Sequence, residues 1–204
     1  KRLIIQAEDL NAHQPIPPQH EDDERFRTRI QMSLEGLTTA GSRASYEFHA
    51  LSTSTKIKDV DVTSPNAGTV KVAILSTEEQ GTADSDLINA VKEKLNAEHI
   101  RPLTDTVLVE SAVILPYEIR ATLTLYPSVL ESVVMANVNQ AITHYTNKQH
   151  LLGIDITLSG IYSALHQEGV QNVKLTQPLE DLIVQPHQAA YCSQIQINVG
   201  GRDE

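Results

Sequence analysis

The 204-residue chain has no tryptophan, two phenylalanines and six tyrosines, so aromatic side chains make up only 4% of it. Surfaces that stack bases or sugar rings rely on such side chains, and this composition argues against one. Cysteine occurs once, as Cys192. A lone thiol excludes an internal disulfide and every multi-cysteine zinc or iron–sulfur site. No apolar run reaches the roughly 18 residues that a membrane-spanning helix needs. Positive charge is also short: 16 Lys and Arg stand against 26 Asp and Glu, a formal net charge of −10. A general nucleic-acid binder needs a basic footprint to displace counterions from phosphates, and docking on an anionic membrane needs one too. Neither partner fits this balance.

What is present is unevenly placed. Residues 1–120 carry 32 charged side chains, whereas residues 121–200 carry seven, with 14 Asn and Gln in their place. The length allows one domain or two small ones. It suffices to bury about 70% of the unfolded surface without a metal or disulfide. Because residue 1 is Lys and not Met, the expectation is that the chain is the remainder of a longer protein.

Pro15, Pro17 and Pro18 mark the first twenty residues as an extended tether. A helix is expected from Glu21, where four consecutive carboxylates suit the positive end of the dipole, with Phe26, Ile30, Leu34 and Leu37 as its apolar stripe and Gly41 as its end. A second helix follows over 42–51, with Tyr46 and Ala50 on one face. Strands over 57–63 and 69–75 flank the turn Ser64-Pro65-Asn66-Ala67-Gly68 and predict a hairpin. Thr82 reads as the N-cap of a helix to about Ala97, with Leu87, Ile88, Val91 and Leu95 buried. A strand over 106–114 follows.

Pro116 interrupts an extended stretch too long for one strand, and a domain boundary is placed there. Tyr117, Ile119, Ala121, Leu123 and Leu125 then alternate with polar residues, the pattern of a strand with one wet face. A helix over 128–149 carries Leu130, Val134, Val138, Ala141 and Tyr145 on one side, and Gly153 breaks it. A further helix over 156–167 buries Leu158, Ile161, Tyr162 and Leu165. Strands at 170–176, 182–185 and 191–199 close the chain, the last stopping at Gly200-Gly201. Helices segregated from hairpin-connected strands predict an α+β fold of two small domains with antiparallel or mixed sheets. The expected organisation is a tether and helix over 1–41, a middle domain over 42–115 and a C-terminal domain over 116–204.

Four constellations invite a chemical reading, and each has a structural one. The run Glu21-Asp22-Asp23-Glu24 lacks the alternation and glycine of a calcium loop, and reads as a solvated helix start. His187 and Cys192 could form a base–nucleophile pair, but Cys192 lies in a strand where alternation sets it on the face opposite Ile195, as a small apolar residue. His144 and His150, six apart, share no helical face. Asp84 and Asp86 beside Thr82 and Ser85 suit a helix start. No phosphate-binding glycine loop, zinc-protease motif or nucleophile elbow occurs. No catalytic, cofactor-binding or metal-binding residue is therefore assigned, and the protein is read as a non-enzyme without cofactor or small-molecule substrate.

Several stretches in order do resemble a known family. These are Thr38-Thr39-Ala40-Gly41-Ser42, Tyr46-Glu47-Phe48-His49-Ala50-Leu51-Ser52, Asp61-Val62-Thr63-Ser64-Pro65, Val72-Ala73-Ile74-Leu75-Ser76 and Arg101-Pro102-Leu103-Thr104-Asp105. Further along come Pro116-Tyr117, Leu125-Tyr126-Pro127, Ile161 to His166, Gln188-Ala189-Ala190-Tyr191-Cys192 and Gly200-Gly201-Arg202-Asp203-Glu204. Over residues 21–204 the set resembles the baseplate J-like proteins of contractile-tailed bacteriophages, with the family's N-terminal region absent. The resemblance implies a structural wedge subunit of a tail baseplate, located in the virion and assembled in the host cytoplasm. Its implied partners are other wedge subunits, further copies of itself, and hub or sheath-initiating proteins, with no catalytic residues. The competing readings are a module that binds a host-surface glycan or protein, and an enzyme such as a hydrolase, for which no motif speaks. The sparse charge of the second half agrees with burial against partners, because interface cores are depleted in charge. It predicts that the C-terminal domain carries more contacts than the middle one.

Overall fold

The computed structural model describes residues 2–6, 19–37 and 41–204. The prolines of the expected tether, and Thr38, Thr39 and Ala40, lie outside the described residues. The chain divides into two compact units, Lys1–Ala112 and Val113–Glu204. Each pairs helices with a three-stranded mixed sheet, an α+β arrangement.

The first unit opens with β1 (Ile4–Gln6) paired antiparallel to β2 (Gln19–His20), followed by α1 (Asp23–Met32). Asp22, and not Glu21, caps α1, its carboxylate accepting from the Arg25 N–H at 2.9 Å. The helix ends at Met32, well before Gly41, and a single 3-10 turn covers Glu35–Leu37. Its expected apolar stripe is not buried. Ile30, Leu34 and Leu37 are 53%, 76% and 81% exposed, while Arg29 is the residue of α1 that is buried. The periodicity was real, but polar contacts decide which side of this helix faces inward.

Ser42 caps α2 (Arg43–Leu51), accepting from the Ser45 N–H. The hairpin forms as expected, β3 (Ile57–Asn66) with β4 (Thr69–Ser76), turning through Gly68 at φ +76°. A side chain there would also come within 3.1 Å of the Thr104 carbonyl, so backbone angle and space both favour glycine. Helix α3 (Ser85–Leu95) starts three residues after Thr82: Asp84 is its cap, accepting from the Leu87 N–H at 2.7 Å. Asx and hydroxyl residues compete for such caps, and Asp84 has the spacing to reach N3. From α3 the chain returns as β5 (Thr106–Ser111), parallel to β4. Tyr46, Ala50, Val60, Val62, Val72, Ile74, Leu87, Val91 and Leu95 share one core.

The second unit begins at Val113, so the division falls three residues before Pro116. Strand β6 (Val113–Leu125) runs through that proline. It pairs with β8 along its whole length but with β7 only from Arg120, so Pro116 sits where one side of the strand has no ladder to interrupt. The expected break was thus a tolerated proline. Helix α4 (Glu131–Gln149) and α5 (Leu158–Leu165) follow, then β7 (Val170–Gln177), antiparallel to β6, and β8 (Gln188–Arg202), parallel to it. The order is β7-β6-β8. Residues 182–185 make only an isolated bridge, Leu182 to Ile156, and not a strand. β8 does not stop at Gly200-Gly201; it passes through them with a bulge.

The alternation of β6 holds: Tyr117, Ile119, Ala121, Leu123 and Leu125 are buried against Val134, Val138, Ile142, Ile161 and Leu165. Leu130 precedes α4 and is 69% exposed, and Tyr162 is exposed, whereas Ile142 and Ala164 take inward positions.

Candidate functional site

The run of carboxylates resolves into separate jobs. Glu21 is buried, with no exposed side-chain surface. Its carboxylate accepts from the Leu3 N–H at 2.9 Å and from Arg29 Nε and Nη2 at 3.1 and 3.0 Å, and pairs with Arg25 Nε at 3.4 Å. Arg25 donates onward to the carbonyls of Leu51 and Ser54, at 2.9 and 2.8 Å, and of Ile57; Arg29 Nη1 donates to Ser52 Oγ at 2.7 Å. The C-terminal end of α2 offers carbonyls without intrahelical partners, and a guanidinium fork fits them. Burial raises the Glu21 pKa, but the Arg29 and Leu3 hydrogen bonds and the charges of Arg29 and Arg25 outweigh it, so the net shift is downward. The expected solvated helix start is therefore corrected at Glu21. Asp23 faces Arg2 and Arg27 at the surface, and Glu24 is exposed.

His187 and Cys192 are not brought together. His187 precedes β8, and five residues of extended chain span about 16 Å. Cys192 is also not on the face expected. A bulge at Ser193 makes Tyr117 pair with Cys192 and Ile119 with Ile195, so both lie on the core face of β8. Its thiol pKa is pushed up by burial, away from a reactive thiolate. His144 is exposed on α4. His150 is not a plain surface residue: its Nδ1 lies 2.7 Å from the Ala190 carbonyl and its ring meets Tyr191 edge-on at 5.5 Å. Asp86 is exposed in the first turn of α3. Among the described residues no three His, Cys, Asp or Glu side chains gather in a way that could hold a metal ion.

A groove of about 410 Å³ lies in the first unit, lined by Gly41, Arg43, Tyr46, Val62, Thr63, Ser64 and Val70. Its polar atoms are engaged: Tyr46 donates to Asp105 at 2.9 Å and Arg43 Nε to the Val62 carbonyl at 2.6 Å. Burial, together with the Asp105 carboxylate, raises the Tyr46 hydroxyl pKa. The arrangement is a structural clamp and offers no acid–base pair.

The second unit presents a different kind of surface. The helices cover one face of its sheet, and the other carries the alternate residues of all three strands. Thr122 pairs with Lys174 on one side and Asn198 on the other; Arg120 pairs with Gln196, and Thr124 with Asn172. Glu118 and Arg120 neutralise each other at 2.7 Å. The result is a surface of hydroxyls and amides with little net charge, which can hydrogen-bond and can be desolvated at modest cost.

Two adjoining family models match these two units. Residues 38–111 match the baseplate J-like central domain, and residues 117–198 match the baseplate J-like protein C-terminal domain. The chain belongs to the baseplate J-like family. It is 42% identical over 203 residues to baseplate protein J of Escherichia phage P2, a match covering all of this chain and 67% of that protein. A chain in the cryo-EM structure of the anti-feeding prophage baseplate shares the fold at a TM-score of 0.55 and 13% identity; the match covers 87% of this chain and 43% of that one.

Proposed function

We propose that the chain is a structural part of a contractile-tail baseplate, a wedge subunit that joins other baseplate proteins in the virion and performs no catalysis. The single observation that carries this is the 42% identity, over the whole of this chain, to a baseplate protein J, with both units matched by successive domains of that family. The site geometry supports it. The buried polar clusters are spent on holding helices and loops, and burial pushes the Cys192 thiol pKa up, away from a reactive thiolate. Domains over 42–115 and 116–204 supply two building blocks, assembled in the host cytoplasm beside sheath-initiating and hub proteins.

Within this reading the hydroxyl-and-amide face of the second unit carries more of the partner contacts than the more charged first unit. Thr122 and Thr124 are half-buried at its centre. Thr122→Lys and Thr124→Lys should block co-purification with neighbouring baseplate subunits while circular dichroism stays unchanged. Thr69→Lys, on β4 of the first unit, should be tolerated. Normal assembly of both β6 variants with loss for Thr69→Lys would move the interface to the first unit.

A further inference from the structure

We propose that the turn Pro102 to Asp105 of the first unit is a docking knob, which sets Leu103 into an uncharged apolar pocket on a different protein of the baseplate. Leu103 is 99% exposed, the most of any large apolar side chain among the described residues. A lone exposed leucine is ordinary. The structure braced behind this one is not. The Asp105 N–H donates to the Pro102 carbonyl at 3.2 Å and closes the turn, with Leu103 and Thr104 at its corner. Arg101 Nη1 reaches across it to the Asp105 carbonyl at 2.6 Å. The hydroxyl of the buried Tyr46 donates to Asp105 Oδ2 at 2.9 Å, and Thr104 Oγ1 to Oδ1 at 3.2 Å. Gly41, at φ +71°, packs so closely that a Cβ there would come within 2.8 Å of Pro102 Cγ and 3.0 Å of Asp105 Oδ2. Just beyond the turn, the Thr106 N–H donates to the Gly68 carbonyl at 2.7 Å, which ties the turn to the β3–β4 hairpin.

Joining α3 to β5 calls for a turn, and a polar residue would serve at its corner. Here the corner is a leucine held in one place. An anchor whose backbone is already fixed loses little conformational freedom on binding, so more of its apolar burial appears as affinity. The same turn defines the partner. Pro102, Leu103 and Thr104 carry no charge, and Arg101 and Asp105 on either side are turned back into the brace. Such a knob selects a hole without charge, because a charged group in the wall would be stripped of water with nothing to pair it. The grooves at α2, α1, α3 and α4 of this chain do not fit, since Arg43, Arg29, Lys94 and Glu168 stand in their walls. The occupant is therefore a different protein and not a second copy.

The inference rests on the baseplate reading, since the pocket is sought on a neighbouring baseplate subunit; one anchor here leaves the larger share of contacts to the second unit. With the full chain co-expressed beside those subunits, Leu103→Ser and Leu103→Asp should each weaken binding about tenfold or more. Their melting temperatures should stay unchanged, because an exposed side chain loses no contact in the free chain. Leu103→Met, which can fill the same hole, should remain within about threefold of the wild type. In a Cys192→Ser background, Thr104→Cys beside the knob, labelled with a benzophenone maleimide and irradiated in the complex, should cross-link to a baseplate subunit other than this chain. Wild-type binding by Leu103→Ser and Leu103→Asp would overturn the proposal, and so would a cross-link to a second copy or to nothing. Failure of the wild type to bind any neighbouring subunit would instead bring down the baseplate reading, and the knob with it.

Discussion

Replacing Glu21 with alanine should release α1 from the first unit. The carboxylate has no exposed surface and serves Arg29, Arg25 and the Leu3 N–H at once. The side chains of Arg29 and Arg25 are 9% and 17% exposed, so neither is free to recover full hydration in place. Removing one partner of such a buried pair costs about 3–5 kcal/mol. Arg25 keeps its carbonyl acceptors and Arg29 keeps Ser52, which puts the loss near the lower figure. Few apolar contacts retain the helix, because Ile30 faces outward, Phe26 and Met32 are only half-buried, and ten residues are too few to be helical alone. Trypsin provides the assay, since Arg25, Arg27 and Arg29 lie in the helix. When opening is fast relative to cleavage, a loss of about 3 kcal/mol raises cleavage there about a hundredfold. Glu21→Gln, which keeps one acceptor oxygen, should lie between the two. The same group sets a pH dependence. A folded pKa below the ordinary 4.5 means that the contribution is fully present above 4.5 and is lost as pH falls through the lower folded value. Acid should therefore accelerate wild-type cleavage (measured with an acid-active protease), and Glu21→Ala should flatten that response. Unchanged trypsin cleavage at these arginines in Glu21→Ala would refute the latch.

Val134→Asp should give insoluble or unfolded protein, because Val134 is 4% exposed inside the second core, while Leu130→Asp, at a position 69% exposed, should leave the melting temperature nearly unchanged. Equal effects would show the packing of α4 misassigned. Cys192→Ala should cost about 1 kcal/mol or less in urea unfolding and leave assembly intact, since the thiol is only half-buried and its hydrogen bond to the Gln194 carbonyl is long, 3.5 Å. A large loss of assembly with normal folding would give the thiol a role. Residues 113–204 expressed alone should show a cooperative thermal transition, because that unit holds its own sheet, helices and core; an unfolded fragment would show that it depends on the first unit.

The sequence by itself determined the elements with strong local signals. Alternation of Tyr117 to Leu125 set a one-faced strand, the turn at Gly68 set the hairpin, and Leu87, Val91 and Leu95 set the buried side of α3. The order of short stretches carried the family resemblance. Tertiary structure decided what periodicity cannot encode. In α1 the apolar spacing suggested one inward face, but a buried carboxylate paired with two arginines turned the helix the other way. That was hidden because Glu21, Arg25 and Arg29 look like ordinary surface charges until the ends of α2 and its loop supply carbonyls. Pro116 looked like an interruption of the strand, yet a strand with only one partner beside it needs no N–H on the other side. The bulge at Ser193 moved Cys192 onto the core face. An extra residue in a ladder leaves no trace in an alternating pattern, because its position depends on the strand next to it. That β8 lies at the edge of its sheet, with β6 at the centre, became visible only in the order β7-β6-β8.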